Sequence, residues 1–351
     1  MENNLDFQIL DVTLRDGSYA NNFQFSCAQQ KLITGALEKA GVEYIEIGHG
    51  MGVGANSPQN GMALHSDAEY LEAAHSSLTG AKYGTFCIPG IAKLSDIDLL
   101  AEHGASFVRI GTNVDAVASS KDYIKKAKEN GLMVMTNFMK SYAISPYEFA
   151  QNVLRSQDYG ADMIYVVDSA GSMMPEQIER IYEEIRKVSD IDLGFHGHDN
   201  LGMAMTNSFK ALELGFRFID TSLQGMGRSS GNTSTELFTI AASKRGYNAG
   251  IDTGLLIEAS RKYVYPMYPR YNSIDVMCGV TGFHTSYLGT INRVAGLYGV
   301  NPLRLMAEYT KVDQISMDED LLKSLAEKLP EDLEGLALAD FTGYFGNEQS
   351  R

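Results

Sequence analysis

At 351 residues and 44% hydrophobic content, the chain is long enough for one large domain with an appendage, or for two ordinary domains around sizeable cores. Its formal net charge of -15 and pI near 4.9 argue against nucleic acid or an anionic membrane surface as a partner, since both reward clustered lysine and arginine. Cys27, Cys87 and Cys278 have no CxxC spacing and read as reduced thiols, no apolar run approaches the roughly 18 residues of a membrane span, and MENNLDFQILDVTLRDG carries no targeting pattern, so a cytoplasmic protein is expected.

Short β-rich runs then recur in chain order: FQILDVTL (7 to 14), YIEIGH (44 to 49), KYGTFCI (82 to 88), SFVRIGT (106 to 112), MVMTNF (133 to 138), MIYVVDS (163 to 169), DLGFHGH (192 to 198) and FRFIDTS (216 to 222). The segments between them have helical periodicity and terminal glycine, as in AQQKLITGALEKAG (28 to 41), DYIKKAKENG (122 to 131) and PEQIERIYEEIRKV (175 to 188). Eight such βα units over about 250 residues predict a (β/α)8 TIM barrel of the α/β class over residues 1 to 265. A doubly wound sheet fits less well, because no GxGxxG follows strand one. YPMYPRYNS reads as a linker, and helical stretches over 285 to 299, 302 to 311 and 317 to 328 predict a small helical domain over 266 to 328. Residues 329 to 351 mix acidic side chains with Phe341, Tyr344 and Phe345 and read as a tail or a strap. The sixteen dispersed methionines read as core filler.

A barrel places catalytic groups at or just after the C-terminal ends of its strands. Arg15 and Asp16 follow strand one, Glu46 and His49 close strand two, Arg109 and Thr112 lie on strand four and Asn137 on strand five. Asp168 and Ser169 end strand six, His196 and His198 strand seven, and Ser222 strand eight. Two of these strings combine into a metal pattern. LRDG (14 to 17) offers the hard carboxylate of Asp16, and HGHDN (196 to 200) offers His196 and His198, whose i, i+2 spacing on a strand turns both rings to one face. Two imidazoles and one carboxylate leave coordination positions open for substrate. Arg15 is a permanent cation beside that carboxylate, suited to negative charge developing on a bound substrate. His49 reads as a loop cap with a direct role as the alternative, and Arg109 and Asn137 as polar lining of the barrel. GMGRSSGN (225 to 232) is either a phosphate or substrate loop or a tight turn that needs glycine. His65, His75 and His103 sit in helix or loop contexts and receive no chemistry.

The strings DVTLRDGSYA, IEIGHG, HSDAEYLEAA, PGI, VDSAGSM, HGHDNLGMA and GMGRSSGN, followed by the helical C-terminal region, occur in a fixed order along nearly the whole chain. In this the sequence resembles the metal-dependent 4-hydroxy-2-oxovalerate aldolases, within the wider group of barrel lyases and synthases that includes hydroxymethylglutaryl-CoA lyase, isopropylmalate synthase and homocitrate synthase. The resemblance implies Asp16, His196 and His198 as ligands of a divalent metal, Mn2+ or Mg2+, with Co2+ or Zn2+ as further candidates. It implies Arg15 as the group that stabilises a pyruvate enolate, Asp168 and Asn200 as supporting groups, and the Ser169 region as the holder of the substrate carboxylate. Expected ligands are a small 2-oxo acid and an aldehyde, with Phe86, Ile88 and Tyr287 among the positions that select the aldehyde. A dehydrogenase partner that receives the aldehyde follows from the resemblance, and a homo-oligomer is the default expectation.

One departure from the family pattern stands out. The residue two after the glycine of RDG is a histidine base in the aldolases, whereas here it is Tyr19, and a tyrosine with an ordinary pKa is a poor base at neutral pH. The family also has a tyrosine in the C-terminal domain, and its matching position here, in GFHTSYLG, is His284. The two residue types look exchanged, so His284 is expected to move the proton and Tyr19 to orient it. GFH also resembles the GIH of acetyl-CoA-using synthases, which keeps Claisen condensation on a 2-oxo acid as an alternative. A non-catalytic partner subunit is the alternative suggested by the altered base position.

Overall fold

The computed structural model describes residues 7–332. Its first unit is a closed barrel of parallel strands: β1 (Gln8–Asp11), β2 (Tyr44–Glu46), β3 (Lys82–Cys87), β4 (Phe107–Asn113), β5 (Met133–Met139), β6 (Met163–Asp168), β7 (Asp192–Gly197) and β8 (Phe218–Thr221), with β8 pairing back onto β1. The helices α1 (Cys27–Ala40), α2 (Asp67–Ser77), α3 (Leu94–Glu102), α4 (Lys121–Glu129), α5 (Pro146–Tyr159), α6 (Pro175–Arg186), α7 (Ala204–Glu213) and α8 (Thr235–Lys244) alternate with the strands. α9 (Thr253–Ala259) follows and packs on α1. The expected TIM barrel is therefore present. Several helix starts are written locally: Ser26 with Gln29, Ser66 with Glu69, and Ser145 with Glu148 form capping boxes that satisfy the first amides of α1, α2 and α5.

Period-two alternation splits each strand between two cores. On β6, Met163, Tyr165 and Val167 point inward with Leu10, Phe107, Met135 and Phe218. Ile164 and Val166 point outward against Phe149, Val153, Ile178 and Ile181 of the helical shell. Two inward positions must be glycine for want of space. A Cβ on Gly111 would overlap the Phe86 ring, and one on Gly194 would overlap the Tyr165 ring. Strand one is shorter than its β-rich run. After Asp11 the chain turns, with the Arg15 and Gly17 amides donating to the Val12 carbonyl, and the 3-10 turn Asp16–Asn21 carries Arg15 and Asp16 across the barrel mouth.

The chain divides into two compact units, Met1–Tyr268 and Pro269–Arg351. The second holds α10 (Ser273–Thr281), α11 (Leu288–Tyr298), α12 (Pro302–Thr310) and α13 (Glu319–Ala326) around a core that includes Ile274, Phe283, Ile291, Val294, Leu305 and Tyr309. The stretch read as one helix from 285 starts with a 3-10 turn at Thr285–Tyr287. Most of the expected tail, from residue 333 on, lies outside the described residues. No helix among the described residues is long and apolar enough to cross a membrane.

Candidate active site

The loop after β1 and the end of β7 bring Asp16, His196 and His198 together, all buried, with one potential ligand atom from each lying within 4.8 Å of the others. The neighbours of these side chains prepare them as ligands. His196 Nδ1 sits 2.8 Å from Asp220 Oδ2 and donates to that carboxylate, which fixes the ring and leaves Nε2 as the nitrogen turned to the cluster. His198 Nδ1 donates to the Gly231 carbonyl at 3.3 Å, with the same consequence. Burial pushes the His198 pKa down to about 4 against the pull of Asp16, so its ring is neutral at ordinary pH. Burial alone would raise the Asp16 pKa, but Arg15, the two imidazoles and Asn232 hold the carboxyl well below the usual carboxylate range. Its Oδ2 accepts from Asn232 Nδ2 at 2.9 Å and from the Arg228 amide at 3.1 Å. Gly227 is needed there, because a Cβ would meet Asn232 and lie 2.8 Å from the Asp16 oxygen.

A buried charge network runs beneath the cluster. Glu46 Oε2 accepts from Arg15 Nε at 2.7 Å and from Arg109 Nη1 at 2.8 Å, and Arg109 Nη2 continues to the same Asp220 oxygen that holds His196. Arg109 is therefore more than lining: it ties Arg15 to a histidine of the cluster. Among these buried groups the carboxylates of Asp16, Glu46 and Asp220 outnumber the guanidiniums of Arg15 and Arg109 by one. A divalent cation reverses that excess, and a set of two imidazoles and one carboxylate suits such an ion. Asp220, Asn232 and Arg228 were not singled out in the sequence. The available signal for Asp220 was an acidic residue two positions after Phe218 in FRFIDTS, and so on the same inward face of the strand.

A cavity of about 200 Å³ opens at the cluster, lined by Arg15, Asp16, His196 and His198 together with Phe86, Ile88, Ile91, Met51 and Met139. Arg15 uses Nε on Glu46 and Nη1 on Asp16, so Nη2 has no protein acceptor among the described residues. Asn137 lines the cavity with its Oδ1 buried and without a hydrogen-bond partner. Ser169 also lines it; its oxygen accepts from the Lys140 amide, which leaves its O–H to donate. Tyr19 lines the mouth, and burial raises the pKa of its phenol, so the hydroxyl is protonated at neutral pH.

The remaining predicted residues are placed differently. His49 stacks on Phe23 at 4.0 Å, accepts from the Met51 amide at Nδ1 and bonds the Gly61 carbonyl through Nε2, so both ring nitrogens serve its own loop. Asp168 accepts from the Ser172 and Met173 amides and caps the turn after β6. Asn200 donates to Ser229 across two loops. None of these three lines the cavity. His284 and Tyr287 belong to the second unit, in and beside the 3-10 turn before α11, where the Tyr287 hydroxyl donates to the Ile315 carbonyl.

Residues 6–262 match the HMGL-like family model. The chain is 34% identical over 324 residues to 4-hydroxy-2-oxovalerate aldolase 4 of Rhodococcus opacus, covering 92% of this chain and 93% of that one. It is 37% identical over 276 residues to the oxaloacetate decarboxylase of Mycobacterium tuberculosis, covering 79% of this chain and 82% of that one. The crystal structure of the HMG-CoA lyase of Bacillus subtilis shares the fold, with a TM-score of 0.65 at 19% identity over 76% of this chain and 95% of that chain. The matched family model, the extended likeness to the aldolases and the barrel with its Asp and His cluster agree that the chain belongs to the HMGL-like family, among its 4-hydroxy-2-oxovalerate aldolase relatives.

Proposed function

We propose that this carbon-carbon lyase cleaves, and in reverse forms, the C3–C4 bond of a 4-hydroxy-2-oxo acid through the enolate of pyruvate, using a divalent cation held by Asp16, His196 and His198. The reading is carried by one observation: this cluster and Arg15, whose Nη2 is uncommitted, line the same small cavity. The bound cation supplies a Lewis acid for the carboxylate and carbonyl oxygens of a 2-oxo acid. Mn2+ accepts both carboxylate and imidazole and is the first candidate, with Mg2+ next. Arg15, fixed by Glu46 and Asp16, offers Nη2 to the oxygen on which charge grows as the bond breaks. Asn137 and Ser169 offer an acceptor and a donor for orienting the acid, and the apolar wall keeps water from the enolate.

The two named relatives support the same step. Cleavage of a 4-hydroxy-2-oxo acid and decarboxylation of oxaloacetate both break the bond beyond C3 and both leave the pyruvate enolate. They differ in the proton at the C4 hydroxyl, which only the aldol reaction must move. For that proton we propose His284, on the exchange of residue types with Tyr19 read in the sequence. A cavity of about 200 Å³ suits a small acid and gives the acetyl-CoA alternative no support. The prepared donor set speaks against a non-catalytic subunit. A homo-oligomer and an aldehyde-consuming dehydrogenase partner are proposed on the resemblance alone.

The test is pyruvate release from a panel of 4-hydroxy-2-oxo acids by metal-stripped protein, before and after Mn2+. Release that requires the metal is expected, and its absence from Mn2+-loaded protein across the panel would overturn the aldolase reading. His284→Ala is expected to bind Mn2+ and lose turnover; near-normal turnover would remove His284 from the mechanism.

A further inference from the structure

The loop GMGRSSGN places a second cation, exposed to solvent, at the border of the cavity, one that the enolate chemistry does not use. Arg228 lines the cavity, and its guanidinium carbon lies 5.4 Å from the centre of the Tyr19 ring. Its backbone is pinned: the Arg228 amide donates to Asp16 Oδ2, its carbonyl accepts from the Gly231 amide, and Asn200 holds the neighbouring Ser229. Arg15 and Arg109 each neutralise carboxylates of the protein, whereas Arg228 makes no ion pair among the described residues. An anchored cation at the edge of a partly apolar cavity, in a chain of net charge -15, is placed to meet an anion that the protein does not supply.

We propose that Arg228, backed by Tyr19, forms a subsite for a second carboxylate, and that the substrate is a 4-hydroxy-2-oxo dicarboxylate with its second carboxylate attached beyond C3. The proposal rests on the enolate reading for the other end of the acid: C1 and C2 lie at the metal cluster and Arg15, so the C4 substituent points to the remaining cation. In the cleavage the C3–C4 electron pair passes into the enolate, the C4 hydroxyl loses its proton and becomes the carbonyl of an oxo acid, and the enolate takes a proton at C3 to give pyruvate. Both products are carboxylates, and Arg228 holds the second of them. The guanidinium matches a carboxylate in two parallel hydrogen bonds, which lysine does not reproduce.

Two five-carbon probes of equal chain length isolate the point: 2-oxoglutarate carries the extra carboxylate on C4, and 2-oxovalerate carries a methyl there. Calorimetry on Mn2+-loaded protein is expected to show 2-oxoglutarate binding at least about tenfold tighter than 2-oxovalerate. In Arg228→Ala the ratio is expected to fall to about threefold or less, with Arg228→Lys between them. The substitution keeps the backbone amide that holds Asp16, so the metal content of each variant is measured and matched first. Equal affinities in the unaltered protein, or a ratio that survives Arg228→Ala, would overturn the subsite. Exchange of the pyruvate methyl protons, followed separately, judges the enolate reading, so failure of either claim is visible without the other.

Discussion

At the scale of single residues, the site depends on side chains that never touch substrate. Asp220 fixes the tautomer of His196 while accepting from Arg109, so one carboxylate prepares a ligand and neutralises a buried guanidinium. Asp220→Asn keeps the volume and removes the charge; Mn2+ affinity is expected to fall about 10- to 100-fold in a metal titration. Unchanged affinity would mean that His196 is oriented by packing alone. Arg15→Lys has a different signature: at saturating Mn2+ the rate of enolate formation is expected to drop by about 10²- to 10³-fold, because an ammonium held on Glu46 has no planar second nitrogen for the enolate. The Asp16, His196 and His198 cluster was legible in the sequence because HxH on a strand and RD after another are local patterns. The network behind it was not, since Asp220 meets His196 across 24 positions, Arg109 meets Glu46 across 63 and Asp220 across 111. His49 was read first as a loop cap, and its direct role as a substrate group was the alternative that only the loop's fold could weigh. A histidine after a strand looks available until its loop is seen folding both ring nitrogens into backbone contacts.

At the scale of elements, the barrel strands accept no extra volume where facing rings fill the interior. Gly111→Ala drives a methyl into the Phe86 ring, which also walls the cavity, and is expected to cost about 1–3 kcal/mol in chemical denaturation. A neutral substitution would show that Phe86 has room to move. The end of β1 is tied to the start of α8 by the buried Asp11 carboxyl, which accepts from the Thr13 amide and the Thr235 hydroxyl. Burial raises its pKa from 3.8 to about 6, above its value in the unfolded chain. The folded state therefore binds the proton more tightly, and this group costs stability as pH rises from about 4 to about 6. Asp11→Asn is expected to flatten that part of the stability profile, and an unchanged slope would refute the assignment. Strand and helix positions were legible from period-two and period-3.6 patterning and from terminal glycines. The end of strand one was not, because Leu14 continues the apolar run after the backbone has turned away beyond Val12.

At the scale of the whole molecule, the barrel is the more legible part, because each βα unit repeats the same local signals. The boundary between units, at Tyr268 and Pro269, falls within the proline- and tyrosine-rich stretch read as a linker. An excess of buried negative charge at the barrel mouth makes folding and cation binding interdependent. Mn2+ at a hundredfold excess over its Kd is expected to stabilise the protein by about 2.7 kcal/mol, seen as a rise in Tm that a chelator reverses. The central claim is that this mouth generates a pyruvate enolate, and proton exchange tests it most directly. Pyruvate in deuterated water with Mn2+-loaded protein is predicted to lose its methyl proton signal, with the loss abolished by chelator and by Asp16→Asn. Methyl protons that persist in the presence of fully metal-loaded protein would contradict the account.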